Sequence, residues 1–127
     1  MQPIHFYDDP DRRGRAREDV RIEQLGLYVY EDGRRVAIGF NLTPFAERPS
    51  IDVTATNSEG QAAGSMTVVE ALSPNFNLTM HLRDSNPTDV YSIEAVVYYK
   101  DEDGVRQDVD RKQGVIDVKV PGEQIVD

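Results

Sequence analysis

The sequence predicts an all-β chain folded as a single seven-stranded antiparallel β-sandwich, and three observations carry that prediction. First, 15 valines, 7 isoleucines and 6 threonines stand against 6 leucines and 8 alanines; branching at Cβ is tolerated better on a pleated strand than in a helix. Second, apolar residues alternate with polar ones over several stretches, so each stretch would cover one face of a strand. Third, turn signals separate the stretches about every dozen residues, the rhythm of antiparallel sandwiches. At 127 residues the chain has the length of one domain. A chain of that size buries a core without help from disulfides or a structural metal.

The elements follow in order. Residues 1–19 have neither helical nor strand period, and Pro3, Pro10 and the run Arg12-Arg13-Gly14-Arg15-Ala16-Arg17 read as a flexible, irregular N-terminal arm. A helix over about Arg15–Leu25 is the competing reading. The domain is expected to span 20–120. Its first strand, Val20–Tyr30, starts in the phase of Val20 and Ile22 and slips to Leu25, Leu27 and Val29, as a bulge at Gln24 or a kink at Gly26 would produce. Val36, Ile38, Phe40 and Leu42 form a second strand, and Ile51, Val53 and Ala55 a third. Gln61–Leu72 is a fourth, apolar on both faces around Met66–Val69. Phe76, Leu78, Met80 and Leu82 mark the fifth strand; Tyr91, Ile93, Ala95, Val97 and Tyr99 mark the sixth. Val105–Val120 is the seventh, interrupted near Gln113-Gly114, and residues 121–127 read as a C-terminal tail. Gly33, Gly60 and Gly104 each follow an acid between strands, which is the chemistry of positive-φ hairpin positions. Phe40, Val53, Leu78, Met80, Ile93 and Val97 are the expected core.

The segment Pro87-Thr88-Asp89-Val90-Tyr91-Ser92-Ile93-Glu94-Ala95 resembles the E-to-F corner of fibronectin type III-like and immunoglobulin-like domains, in which a proline-containing turn leads into a tyrosine. The resemblance implies a structural tyrosine corner at Tyr91, its hydroxyl bonded to backbone a few residues upstream. The absence of tryptophan and cysteine departs from the immunoglobulin pattern.

Several function classes are disfavoured. Without cysteine there is no disulfide scaffold, thiolate metal site or thiol nucleophile, and two histidines do not make a histidine-rich metal centre. No nucleophile elbow, zincin motif or phosphate-binding glycine loop occurs, so no enzyme and no cofactor are expected. A net charge of −9 and a pI near 4.6 mark an acidic protein that repels polyphosphate. The arginines of the arm are offset by neighbouring acids and lack interleaved aromatics, so no nucleic acid is expected. No apolar run is long enough to cross a membrane. Met1–Asp8 has neither a basic nor an apolar leader segment, so with Met1 native a cytoplasmic location is expected. The sequons at Asn41 and Asn77 would matter only in a secreted protein.

Three surfaces remain as candidates. Asp101, Asp103 and Asp108 offer hard oxygens for calcium, although the EF-hand spacing is not met. Tyr28, Tyr30, Tyr98 and Tyr99 could stack sugar rings on an open sheet face, making a carbohydrate-binding accessory domain the alternative function. The principal expectation is a protein-binding interaction or accessory module using one pole of the sandwich. That pole gathers Phe45, Arg48, Pro74, Asn75, Asp101 and Asp103 with Arg12, Arg13, Arg15 and Arg17 of the arm. Phe45, in its proline-bounded loop, reads either as the exposed apolar anchor of that pole or as a core plug tucked under the sandwich, and the sequence leaves both open.

Overall fold

A computed structural model describes residues 14–125, with the side chain of Ile125 excluded. A 3-10 turn at Arg17–Asp19 precedes eight strands: β1 (Ile22–Val29), β2 (Arg35–Leu42), β3 (Ser50–Asn57), β4 (Ala62–Val68), β5 (Asn75–His81), β6 (Val90–Lys100), β7 (Arg106–Asp117) and β8 (Gly122–Ile125). They form two four-stranded antiparallel sheets, ordered β5-β2-β1-β8 and β4-β3-β6-β7. The all-β sandwich is as expected, but the strand count is eight. The extra strand lies in residues read from sequence as a tail: β8 pairs with β1 from Gly26 to Val29. Placing β4 beside β3 rather than β5 departs from the constant-type immunoglobulin arrangement.

Local chemistry explains the element boundaries. The phase slip in the first strand is a bulge between Ile22 and Gln24, which returns Leu25, Leu27 and Val29 to the core face. Gly33, Gly60 and Gly104 take φ values of 64°, 80° and 81° in the hairpin turns, a region closed to most side chains. Strand β7 runs unbroken through Gly114, contrary to the expected interruption. Its irregularity lies instead opposite Val97/Tyr98. That bulge accompanies the burial of both Tyr98 and Tyr99, with the Arg106 guanidinium 4.0 Å over the Tyr98 ring covering the outer face.

The core lies between the sheets and centres on Leu25, Leu27, Ile38, Ile51, Ile93 and Tyr91. Phe40, Val53, Met80 and Val97 are buried as expected, whereas Leu78 is half-buried. Strands β4 and β5 are opposed sheet edges on the same side of the sandwich, so their inward residues Met66, Val68, Phe76 and Leu78 pack against the core only in part.

At the pole holding the Asp32, Glu59 and Asp84–Asp89 turns, a buried polar cluster ties four segments together. The Tyr91 hydroxyl donates to the Asp84 carboxylate (2.9 Å to Oδ2) and accepts from the backbone amide of Thr88 (3.2 Å) and from Arg34 Nη1 (3.3 Å). Asp84 also receives Asn57 Nδ2 at 2.9 Å and Arg34 Nη2 at 3.3 Å. Burial opposes charge on Asp84, but hydrogen bonds from Asn57, Tyr91, its own amide and Arg34 outweigh it and hold the carboxyl below the usual carboxylate range.

Candidate functional site

The opposite pole is assembled from the residues leading into β1, the Pro44–Pro49 loop, the 69–73 loop and the β6–β7 tip. The backbone pins the first two together: the Arg15 amide donates to the Pro44 carbonyl (2.8 Å) and the Ala46 amide to the Arg15 carbonyl (3.0 Å). Residues 14–19, expected to belong to a flexible arm, are therefore seated on the domain. Arg12 and Arg13 lie outside the described residues. Arg17 makes a two-nitrogen contact with Glu47, with Nε to Oε1 at 2.7 Å. It also donates to the Lys100 carbonyl and stacks 4.9 Å from the centre of the Tyr99 ring. The Glu47 hydrogen bond raises the Arg17 pKa and lowers that of Glu47. The Tyr99 hydroxyl donates to the Glu47 carbonyl at 2.7 Å, and burial, with the nearby Glu47 charge, pushes its pKa up to about 12. Arg17, Glu47, Arg48, Tyr99 and Lys100 line an open recess of about 460 Å³.

Of the two readings of Phe45, the structure has the core plug. Phe45 is half-buried and packs on the core as a plug beneath the sandwich, because its loop is drawn inward by the Arg15 bridge. The exposed aliphatics of this pole are Val69 and Leu72 on the 69–73 loop, at 71% and 81% exposure, and Val105 on the β6–β7 tip at 56%. Strand β4 ends at Val68, four residues earlier than the sequence suggested, and Glu70 turns the chain with φ 49°, an uncommon conformation for a side-chain-bearing residue. The loop is held in place: the Glu70 amide donates to Ser50 Oγ (3.1 Å) and the Ala71 amide to the Pro49 carbonyl (2.8 Å). Leu72 borders a second, apolar recess of about 350 Å³ that runs to Phe76 and Leu78.

The remaining candidates take other roles. Arg48 is exposed at the rim of the charged recess. The Pro74 carbonyl accepts the Leu42 amide at 2.9 Å, and Asn75 opens β5. Asp101, Asp103 and Asp108 do not converge. The Asp101 carboxylate accepts the amides of Asp103 and Val105 (2.9 and 2.8 Å), which is turn chemistry, while Asp108 faces Arg106 and Arg111 on β7. Among the described residues no group of three histidine, aspartate or glutamate side chains could hold a metal. No helix in the described chain is long and apolar enough to cross a membrane. Of the four tyrosines considered for sugar stacking, Tyr98 and Tyr99 are buried, Tyr30 lies under Arg35 (4.3 Å), and Tyr28 remains 48% exposed.

No family model and no curated protein matches the sequence. Solved structures do resemble the fold. A glycosyl hydrolase family 2 member from Bacteroides cellulosilyticus is similar over 78% of this chain at 8% identity, with a TM-score of 0.51. The likeness is one of fold. A β-glucuronidase from Parabacteroides merdae gives a TM-score of 0.49 at 12% identity over 78% of this chain, and one from Ruminococcus gnavus gives 0.47 at 14% over 79%. The chain spans only 15%, 14% and 16% of those three proteins respectively.

Proposed function

We propose that this protein is a non-catalytic β-sandwich accessory module, related in its corner to fibronectin type III-like domains, that docks another protein through the pole bearing Val69 and Leu72. The observation that carries this reading is the pair of large aliphatic side chains held outward on a tethered loop. Exposed apolar groups beside a charged rim have the anatomy of a protein interface, in which a few buried anchors supply most of the energy and charges steer approach. Glu47, Arg48, Glu70 and Lys100 supply charges of both signs around them. The left-handed backbone at Glu70 carries a conformational cost of the kind tolerated at working surfaces. Similarity of fold to a 15% portion of a long glycosyl hydrolase chain supports an accessory role beside larger domains.

The test is the assembly state of the tagged chain isolated from its native cells. Leu72→Asp combined with Val69→Ser should leave the melting temperature within a few degrees of the parent and shift the protein from a defined complex to the free chain. Thr54→Asp, on an exposed strand position away from this pole, should leave the complex intact. Retention of the complex by the Leu72/Val69 variant would exclude this surface.

A further inference from the structure

The outer face of the β5-β2-β1-β8 sheet carries a second surface, remote in chemistry from the aliphatic pole. Gly26 of β1 pairs with Gly39 of β2, which pairs with Asn77 of β5, so two adjacent strands lack side chains at one level of the sheet. The result is a trough of about 410 Å³ that continues as a smaller hollow of about 190 Å³ toward Tyr28. The larger part falls within the usual size of ligand sites. Glycine weakens a strand interior, and it often marks a place where something else comes close to the backbone. At Gly26 the fold itself makes no demand for it: the residue is not among those with positive φ, and an added Cβ would meet nothing within 4 Å.

The lining has a definite chemistry. Gln24, Asn41, Asn75 and Asn77 bring four side-chain amides to the trough from three strands. Among the described residues none of these amides makes a hydrogen bond, and Asn75 bonds only through its backbone. Each amide offers paired donors and an acceptor. Tyr28 closes one end. Its half-exposed ring is held edge-on by Tyr30, with centroids 5.5 Å apart at 83°, and Tyr30 is in turn covered by Arg35. Glu123 is the lone charged residue of the lining. From Gln24 to Tyr28 the trough extends about 14 Å at the rise of an antiparallel strand.

We propose that this trough binds a short stretch of a neutral polysaccharide. Neighbouring sugar hydroxyls both donate and accept, matching the amides, and the apolar face of a pyranose ring matches the oriented Tyr28 ring. A polyanion is disfavoured by Glu123 and the net charge of −9. An extended peptide would gain most from a free strand edge, whereas the trough lies across the middle of the sheet.

The test is affinity electrophoresis of the full chain through gels holding galactomannan, xyloglucan or hydroxyethylcellulose, with polygalacturonate as the anionic arm. Retardation in at least one neutral polymer and none in polygalacturonate is expected. Gly26→Val fills the trough with a side chain suited to strands, so it should keep or raise the melting temperature while weakening retardation at least tenfold. Asn77→Ala and Tyr28→Ala should each weaken it by a similar factor. Leu72→Asp should bind as the parent does, which separates this site from the protein-docking pole. Free migration in all three neutral polymers, retardation only in polygalacturonate, or undiminished binding by folded Gly26→Val would overturn the proposal.

Discussion

Replacing Tyr91 by phenylalanine removes one oxygen and keeps the ring, so the core volume is unchanged and the cost measures the corner cluster alone. The lost hydroxyl is the 2.9 Å donor to Asp84 and the acceptor for the Thr88 amide at 3.2 Å. Asp84 is the costly partner, since its side chain is 1% exposed and retains only the bonds from Asn57, Arg34 and its own amide. A hydrogen bond to a charged group contributes about 1.5–3 kcal/mol, and the half-buried Thr88 amide recovers part of its loss through water. The expected destabilisation is about 2–3 kcal/mol, read as a urea midpoint lower by roughly 1–2 M at unchanged slope. Tyr99→Phe is the comparison: it breaks one neutral bond, to the Glu47 carbonyl, and should cost about 1 kcal/mol. The Tyr91→Phe penalty should also shrink in acid, because a protonated Asp84 is cheaper to leave with one partner fewer. A midpoint equal to the parent's, or a larger loss for Tyr99→Phe, would refute this reasoning.

Three further outcomes are expected. Because the folded pKa of Asp84 is held below its unfolded value of about 3.9, its contribution is full above that range and fades as pH falls through it; the parent should lose more stability between pH 6 and about 3 than Asp84→Asn does, by urea titration at each pH. Ile93→Ala, at a wholly buried site, should cost about 2–5 kcal/mol, while Leu78→Ala on the half-buried edge should cost about 1–2 kcal/mol in the same assay. Deleting residues 122–127 strips β8 from β1 and leaves an unpaired strand edge, so light scattering should show concentration-dependent association that the parent lacks.

How much of this was legible in the sequence depended on whether side-chain period or backbone pairing set the element. Leu25–Val29, Val36–Leu42 and Ile51–Ala55 were readable because each has one face in the core and so alternates strictly. Strand β8 was not. Gly122-Glu123-Gln124-Ile125 has no apolar alternation, and it is placed by backbone pairing to β1 and by the Gln124 side chain bonding Asp117 and Val120. The cluster around Tyr91 draws Arg34, Asn57 and Asp84 from three other segments, a convergence that no local spacing reveals. Val69 and Leu72 were obscured because Met66–Val69 is apolar on both faces, so period two could not tell a continuing strand from an exposed loop. Gly26 had a sequence signal, as one of two explanations for the phase slip in the first strand, but its pairing with Gly39 required the register.

The docking pole is tested most directly by placing a photo-reactive benzoylphenylalanine at single positions and irradiating intact native cells. Position 72 should give one discrete adduct, abolished by Val69→Asp in the same chain, while position 115, a comparably apolar exposed site on β7, should give none. An adduct formed from position 115 and not from 72, or no adduct from 72 in cells where the chain is folded, would contradict the account.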